Sequence, residues 1–202
     1  MASSGTAGAR SYARAMDVTS VFAAFGLSGA AGLNAWLPLF AGALLERVDA
    51  VDLAAPFDEL SSTTGLVVLG LLTVADFVGD KIPAVDHVLH AIGTVIAPLS
   101  GAALFAGQTG AETDIPTLVA AIAGGATAEA VHAGRAAVRP ASTATTGGLG
   151  NPILSVIEDV GSGLLTLFAF VVPLLAILLV IALLAALVVL WRRARRGMGA
   201  LG

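Results

Sequence analysis

The chain has 202 residues, 57% of them hydrophobic and 12% charged, with a formal net charge of -4 and no cysteine. Soluble domains carry about 25% charged residues, so this chain lacks the polar surface a water-exposed globule needs. The missing cysteine excludes disulfides, thiolate metal sites and cysteine nucleophiles, and so small a charge does not point to nucleic acid.

Arg10 and Arg14 precede an apolar stretch that opens at Val18. Ser28-Gly29-Ala30-Ala31 imitates a small-residue cleavage site. The apolar run continues past it to Leu44, however, so an uncleaved first helix over 18–44 is expected. Further spans are predicted over 62–80, 84–107, 115–138, 145–162 and 164–191. The last has no ionisable group from Leu164 to Leu190, longer than the ~20 residues a hydrocarbon core requires. Gly93, Pro98 and Gly101 interrupt the third span, and Gly147, Gly148, Gly150 and Pro152 the fifth. Such breakers are tolerated where protein or a watery cavity satisfies the freed backbone groups.

Lysine and arginine set the orientation. With six spans and the N-terminus inside, Arg10, Arg14, Lys81, Arg135, Arg139, Arg192, Arg193, Arg195 and Arg196 all face the cytoplasm. Only Arg47 falls outside, among Glu46, Asp49, Asp52, Asp58, Glu59, Glu112 and Asp114. The expectation is a multi-pass protein of the cell (inner) membrane with both termini cytoplasmic. It comprises an N-terminal tail (1–17), one membrane domain (18–191) and a basic C-terminal tail (192–202). Trp191 beside Arg192 reads as an interfacial anchor.

Self-comparison suggests a repeat. Ser61–Asp80 lies over Thr143–Ser162 at a constant offset of 82. Thr-Thr-Gly then matches Thr-Thr-Gly, Val-Gly matches Val-Gly, and Asp76 lies over Glu158. A second register aligns Ser28-Gly29-Ala30 with Ala123-Gly124-Gly125 and puts Asn34 over Glu129. The fold class expected is therefore all-α and polytopic, with six transmembrane helices as two inverted three-helix repeats, 18–107 and 115–191. Secondary transporters often use such repeats, with the site at their interface.

Polar residues inside membrane helices are costly and are functional candidates by default. Asn34, Asp76, Asp80, Glu129, Glu158 and Asp159 form the candidate set for binding an ion or small solute, with Asp76 and Glu158 expected on either side of the midplane. Asp86, His87 and His90 form a candidate metal set of oxygen and imidazole ligands. The bland alternative makes Asp80–Lys81 an interfacial ion pair and leaves the histidines solvated. In the fourth span Glu129, His132, Arg135 and Arg139 form one stripe. Arg135, Arg139, Thr145 and Thr146 could hold a phosphorylated lipid or another anion; alternatively Glu129 pairs internally and Arg139 serves topology.

No His-Glu-x-x-His, Gly-x-x-x-x-Gly-Lys-Ser/Thr or Gly-x-Ser-x-Gly motif occurs, so no enzyme chemistry and no cofactor is expected. The expected partners are the lipid bilayer and a small solute or ion, with homo-oligomerisation left open. A small secondary transporter is the leading expectation, an anion or lipid binder the second and a membrane scaffold the third.

Gly29–Ala35, the Asp76–Pro83 turn with Asp86, and the stretch from Thr145-Thr146-Gly147-Gly148 through Asn151-Pro152 to Glu158-Asp159 together resemble a bacterial membrane family catalogued as domain of unknown function 4126. The resemblance spans roughly residues 20–185 and implies a multi-span membrane protein without implying an activity. A weaker likeness is to cation/proton exchangers of the calcium–manganese type, which carry acid-x-Gly-Asp-Lys-Thr/Ser once in each inverted half. Here Asp76-Phe77-Val78-Gly79-Asp80-Lys81 is one residue longer, and Ile82 replaces the hydroxyl. Glu158-Asp159-Val160-Gly161-Ser162 lacks the Asp-Lys pair. Only the acidic positions Asp76 and Glu158 carry over.

Overall fold

The computed structural model describes the backbone of residues 4–110 and 113–199, with side chains described except at 4–17, 83, 84, 86, 87, 141, 194, 195 and 197–199. The described residues form helices α1 (Ser4–Leu33), α2 (Trp36–Arg47), α3 (Phe57–Leu60), α4 (Thr63–Gly79), α5 (Pro83–Gly110), α6 (Thr117–Thr146), α7 (Asn151–Val171) and α8 (Pro173–Gly199). The segments Val88–Gly110, Asn151–Val171 and Pro173–Arg193 are long and apolar enough to cross a membrane. Val18–Leu33 and Thr63–Gly79 are shorter apolar helices. Large apolar side chains point outward, with Leu118 71%, Val171 67% and Leu71 66% exposed. That exterior suits hydrocarbon rather than water.

The first expected span is not one helix. Pro38 cannot donate to residue 34, and its ring would strike that carbonyl in a continuous helix. The chain instead breaks at Asn34–Ala35 and folds back. Packing fixes the direction. Ser28 Oγ donates to Gly101 O at 3.0 Å, and Phe25 meets Phe105 edge-on with centroids 4.9 Å apart, so α5 runs against α1. Fully buried Phe57 touches both Gly42 of α2 and Gly107 of α5. Gly107 lies beyond Phe105, away from Asn34, so α2 has turned back on α1. Asn34 meets Asp76, Phe40 lies against Gly70, and Arg47 reaches Thr63. Hence α4 reverses again.

Proline moves a second boundary. The fifth span, expected to end at residue 162, continues as α7 to Val171, and α8 begins at Pro173. The residue before a proline is pushed out of the helical region, and Val172 sits at φ -140°, ψ 72°. Gly26 touches both Ala169 and Ala176, and Gly29 both Leu165 and Val180. α7 and α8 are thus antiparallel, with α1 between them. Altogether α1, α4, α6 and α8 run one way, and α2, α5 and α7 the other.

Close packing relies on small residues, as is usual where lipid removes the hydrophobic drive between helices. A Cβ on Gly124 would sit 2.2 Å from Gly101 O, and one on Gly32 2.5 Å from Ala128 O. α1 is the central helix: Ala24, Leu27, Ser28 and Ala30 have no exposed surface.

The Thr-Thr-Gly match does not carry into matching local structure. Thr63–Gly65 opens α4, where Ser62 Oγ caps the helix by accepting from Gly65 N at 3.0 Å. Thr145–Gly147 instead closes α6, with Gly147 at φ 64° and Gly148 at φ 89°, conformations that glycine adopts readily. Similar letters serve opposite ends of helices. Asp76 is near the end of α4 and Glu158 near the start of the reversed α7, so both acids stand at one end of the bundle rather than across a midplane.

A Gly124→Val substitution is expected to force α5 from α6 and cost about 1–3 kcal/mol, read as a lower melting temperature in detergent. Gly163→Ala, with nothing within 4 Å of the added carbon, should be neutral or gain up to about 1 kcal/mol.

Candidate functional site

Asn34 stands where α1 ends and uses all the hydrogen-bonding capacity of its amide. Oδ1 accepts from Trp36 N at 3.1 Å and Leu37 N at 3.0 Å, capping the fold-back helix. Nδ2 donates to Asp76 Oδ2 at 3.0 Å and to Asp159 Oδ1 at 2.9 Å. The residue is 2% exposed. One side chain therefore both starts α2 and joins α1 to α4 and α7.

Around it the carboxylates of Asp76, Asp80 and Asp159 come together, with one oxygen from each within 4.8 Å of the others. Lys81 Nζ is 2.8 Å from Asp80 Oδ1 and 3.1 Å from Asp159 Oδ2. It also donates to Phe77 O at 2.7 Å and sits 3.8 Å from the centre of the Phe77 ring. Ser155 Oγ donates to Asp80 Oδ2. Burial works against the Lys81 charge, but hydrogen bonds to Asp80 and Asp159 outweigh it and raise the ammonium above its ordinary value. The three carboxyl groups outnumber the one ammonium. An all-oxygen set of this kind suits a hard cation or shared protons.

A second cluster adjoins the first through neighbouring residues of α7. Glu158 Oε2 accepts from Arg135 Nη1 at 2.9 Å and Arg139 Nη2 at 2.7 Å. Arg135 also donates to Leu33 O, the last carbonyl of α1, which suits a cation. Its guanidinium reaches His132 Nδ1 at 3.2 Å, and His132 stacks on His90 with centroids 4.9 Å apart.

The sequence pattern of one protein family, described as "Domain of unknown function (DUF4126)", matches residues 21–193, a stretch that contains both clusters. The chain belongs to the DUF4126 family. No curated protein and no solved structure matches it.

In this DUF4126 chain, Asn34, Asp76, Asp80 and Asp159 meet in one cluster, as four of the six ion-site candidates. Glu158 stands next to it but is committed to arginines. Glu129 joins neither, and its Oε2 is buried without a hydrogen-bond partner among the described residues. Of the expected metal set, Asp86 and His87 lie outside the described side chains, while His90 stacks on His132; the acidic group that could hold a metal is Asp76, Asp80 and Asp159 instead. Thr145 and Thr146 turn their hydroxyls to Ser142 O at 3.2 and 2.7 Å, so neither is set out for an anion. Sequence reasoning missed Lys81 as part of the site, because beside Asp80 it read as an interfacial pair. It also missed Ser155, whose role depends on α7 meeting the α4 turn.

Asn34→Ala removes the α2 cap and strands two carboxylates. The expected loss is about 2–4 kcal/mol, seen as a fall in melting temperature larger than that of Ser61→Ala, an exposed hydroxyl change.

Proposed function

We propose that this protein is a small secondary transporter for a cation or a proton-coupled solute, with Asn34, Asp76, Asp80 and Asp159 as its ion site. The observation that carries this reading is the convergence of three carboxylates at a broken helix at one end of an apolar bundle. Transporters characteristically bind ions where helices are discontinuous and unwound backbone lines the site. Lys81 supplies an internal cation among the carboxylates, so an incoming cation or proton competes with its ammonium for the same oxygens.

The fold-back also changes the proposed topology. If α1, α2, α4, α5, α6, α7 and α8 each make a pass, the count is odd and the two ends lie on opposite sides. Lys81, Arg135 and Arg139 gather at the Asn34 end of the bundle, where Trp191 of α8 lines the same groove as Ala133 and Gly134 of α6. By the positive-inside bias this end is cytoplasmic. Arg47 and the acidic 46–59 segment are at the other end, toward which the start of α1 extends. This replaces the expectation of two cytoplasmic ends.

Asp76→Asn should abolish cation-coupled flux in proteoliposomes while the melting temperature stays within a few degrees of the parent. Unchanged flux in that variant, or no flux of protons, sodium, potassium, calcium or manganese in the parent, would overturn the assignment. The absence of native cysteine makes the topology directly testable. Ser11→Cys and Arg193→Cys should react with an impermeant maleimide from opposite faces of sealed vesicles; labelling from one face restores the even count.

A further inference from the structure

The groove between α6 and α8 has a volume of about 280 Å³. α6 lines it with small residues, Ala133, Gly134 and Ala137, and α8 with large ones, Leu187, Val188 and Trp191. The helices touch at Gly134, where an added Cβ would sit 2.7 Å from Leu187 Cδ1. Ala133 is exposed beside that contact. The groove therefore opens outward, on the apolar exterior that the bundle presents to hydrocarbon. None of its lining residues belongs to the aspartate cluster or to the Glu158 cluster.

One end of the groove is basic. Trp191 is followed by Arg192, Arg193 and Arg196, all exposed, and Arg192 stands one helical turn beyond Val188 of the groove. Asp159 is the last acidic residue of the chain, so neither α8 nor the tail carries a carboxylate side chain of its own. α8 packs on α1, α6 and α7. The carboxylates of α7 at this end are engaged elsewhere: Asp159 with Asn34 and Lys81, and Glu158 with Arg135 and Arg139. Among the described residues no ion pair reaches Arg192, Arg193 or Arg196.

An apolar groove with a basic mouth and a tryptophan at the junction matches an amphiphile with a hydrocarbon chain and an anionic head. A second copy of the chain in the same orientation would bring its own arginines to the same level, where like charges repel. We propose that this groove seats one acyl chain of an anionic phospholipid, with the headgroup phosphate against Arg192 and the Trp191 ring where head and chain meet. Basic residues just outside a membrane span attract anionic headgroups, and the guanidinium fork of Arg192 suits two phosphate oxygens at once. Arg193 and Arg196 add to the same field.

The full chain, delipidated in detergent, is titrated with phosphatidylglycerol or with phosphatidylcholine of the same acyl chains and followed by native mass spectrometry. One phosphatidylglycerol per chain is expected to bind first, at about tenfold lower concentration than phosphatidylcholine, as one charge-assisted contact gives. Arg192→Gln should bring phosphatidylglycerol to the level of phosphatidylcholine and leave phosphatidylcholine unchanged. Ala133→Phe fills the groove from its exposed side and spares every arginine, so it should weaken both lipids; its melting temperature checks that it folds. Should it misfold, the exposed change Arg192→Gln decides alone. Equal binding of the two lipids by the parent overturns the proposal. So does tight phosphatidylglycerol binding that persists in either variant, which would place the lipid on the rest of the basic tail. A dimer that forms in the parent and excludes lipid gives the groove to a second copy and overturns it equally. No flux is measured, so the outcome is independent of the transport reading.

Discussion

The structure hangs on a single amide. Asn34 ends the central helix, caps the helix that folds back from it, and ties the carboxylates of α4 and α7 to that point. Each demand falls on a different atom: one oxygen takes two backbone N–H groups, and one nitrogen supplies two protons. In an apolar bundle an unmet donor or acceptor is expensive, so no similar-sized aliphatic side chain could stand there. The same requirement explains why the acids gather. Asp76 and Asp159 find at Asn34 the hydrogen-bond donors that hydrocarbon cannot offer.

Charge is organised in graded fashion around that point. The aspartate cluster holds more carboxylates than cations, and the neighbouring Glu158 cluster holds more guanidinium than carboxylate. Asp159 and Glu158 are consecutive in α7, so the two imbalances lie side by side and partly offset each other. Neither cluster is a simple salt bridge. Buried pairs rarely repay their desolvation in stability alone.

Much of this was legible in the sequence, and the failures have identifiable causes. The helical, apolar character followed from composition, and four of the ion-site candidates lie together because intramembrane carboxylates are rare enough to be informative. The fold-back escaped notice because hydropathy runs unbroken from Val18 to Leu44; Asn34 followed by Pro38 was the cue, a helix cap four residues before a proline. The Val172–Pro173 boundary was missed because the fifth and sixth spans were divided at Gly163, yet a helix continues through a glycine, whereas the residue before a proline is pushed out of the helical region. The Thr-Thr-Gly match misled because those residues can open or close a helix, and only the backbone conformation of Gly147 tells which. Lys81 and Ser155 could not be assigned from spacing, since both act on residues of another helix.

The close approach between helices at Gly101 and Gly124 has a mechanical meaning. Backbones in direct contact leave no side chains to slide over one another, so α5 and α6 behave as a stiff frame, with α1 locked to it through Ser28 and Gly32. α4 is held differently. Its buried residues are Leu69 and Gly79, and Asp76 is joined to the frame by the Asn34 amide. Two of the three clustered carboxylates, Asp76 and Asp80, thus belong to the α4 end, while Asp159 belongs to the anchored α7. Whatever fills or neutralises the cluster acts across a seam between a fixed part and a lightly held one. On the transport reading proposed above, occupancy there would act as a force on α4.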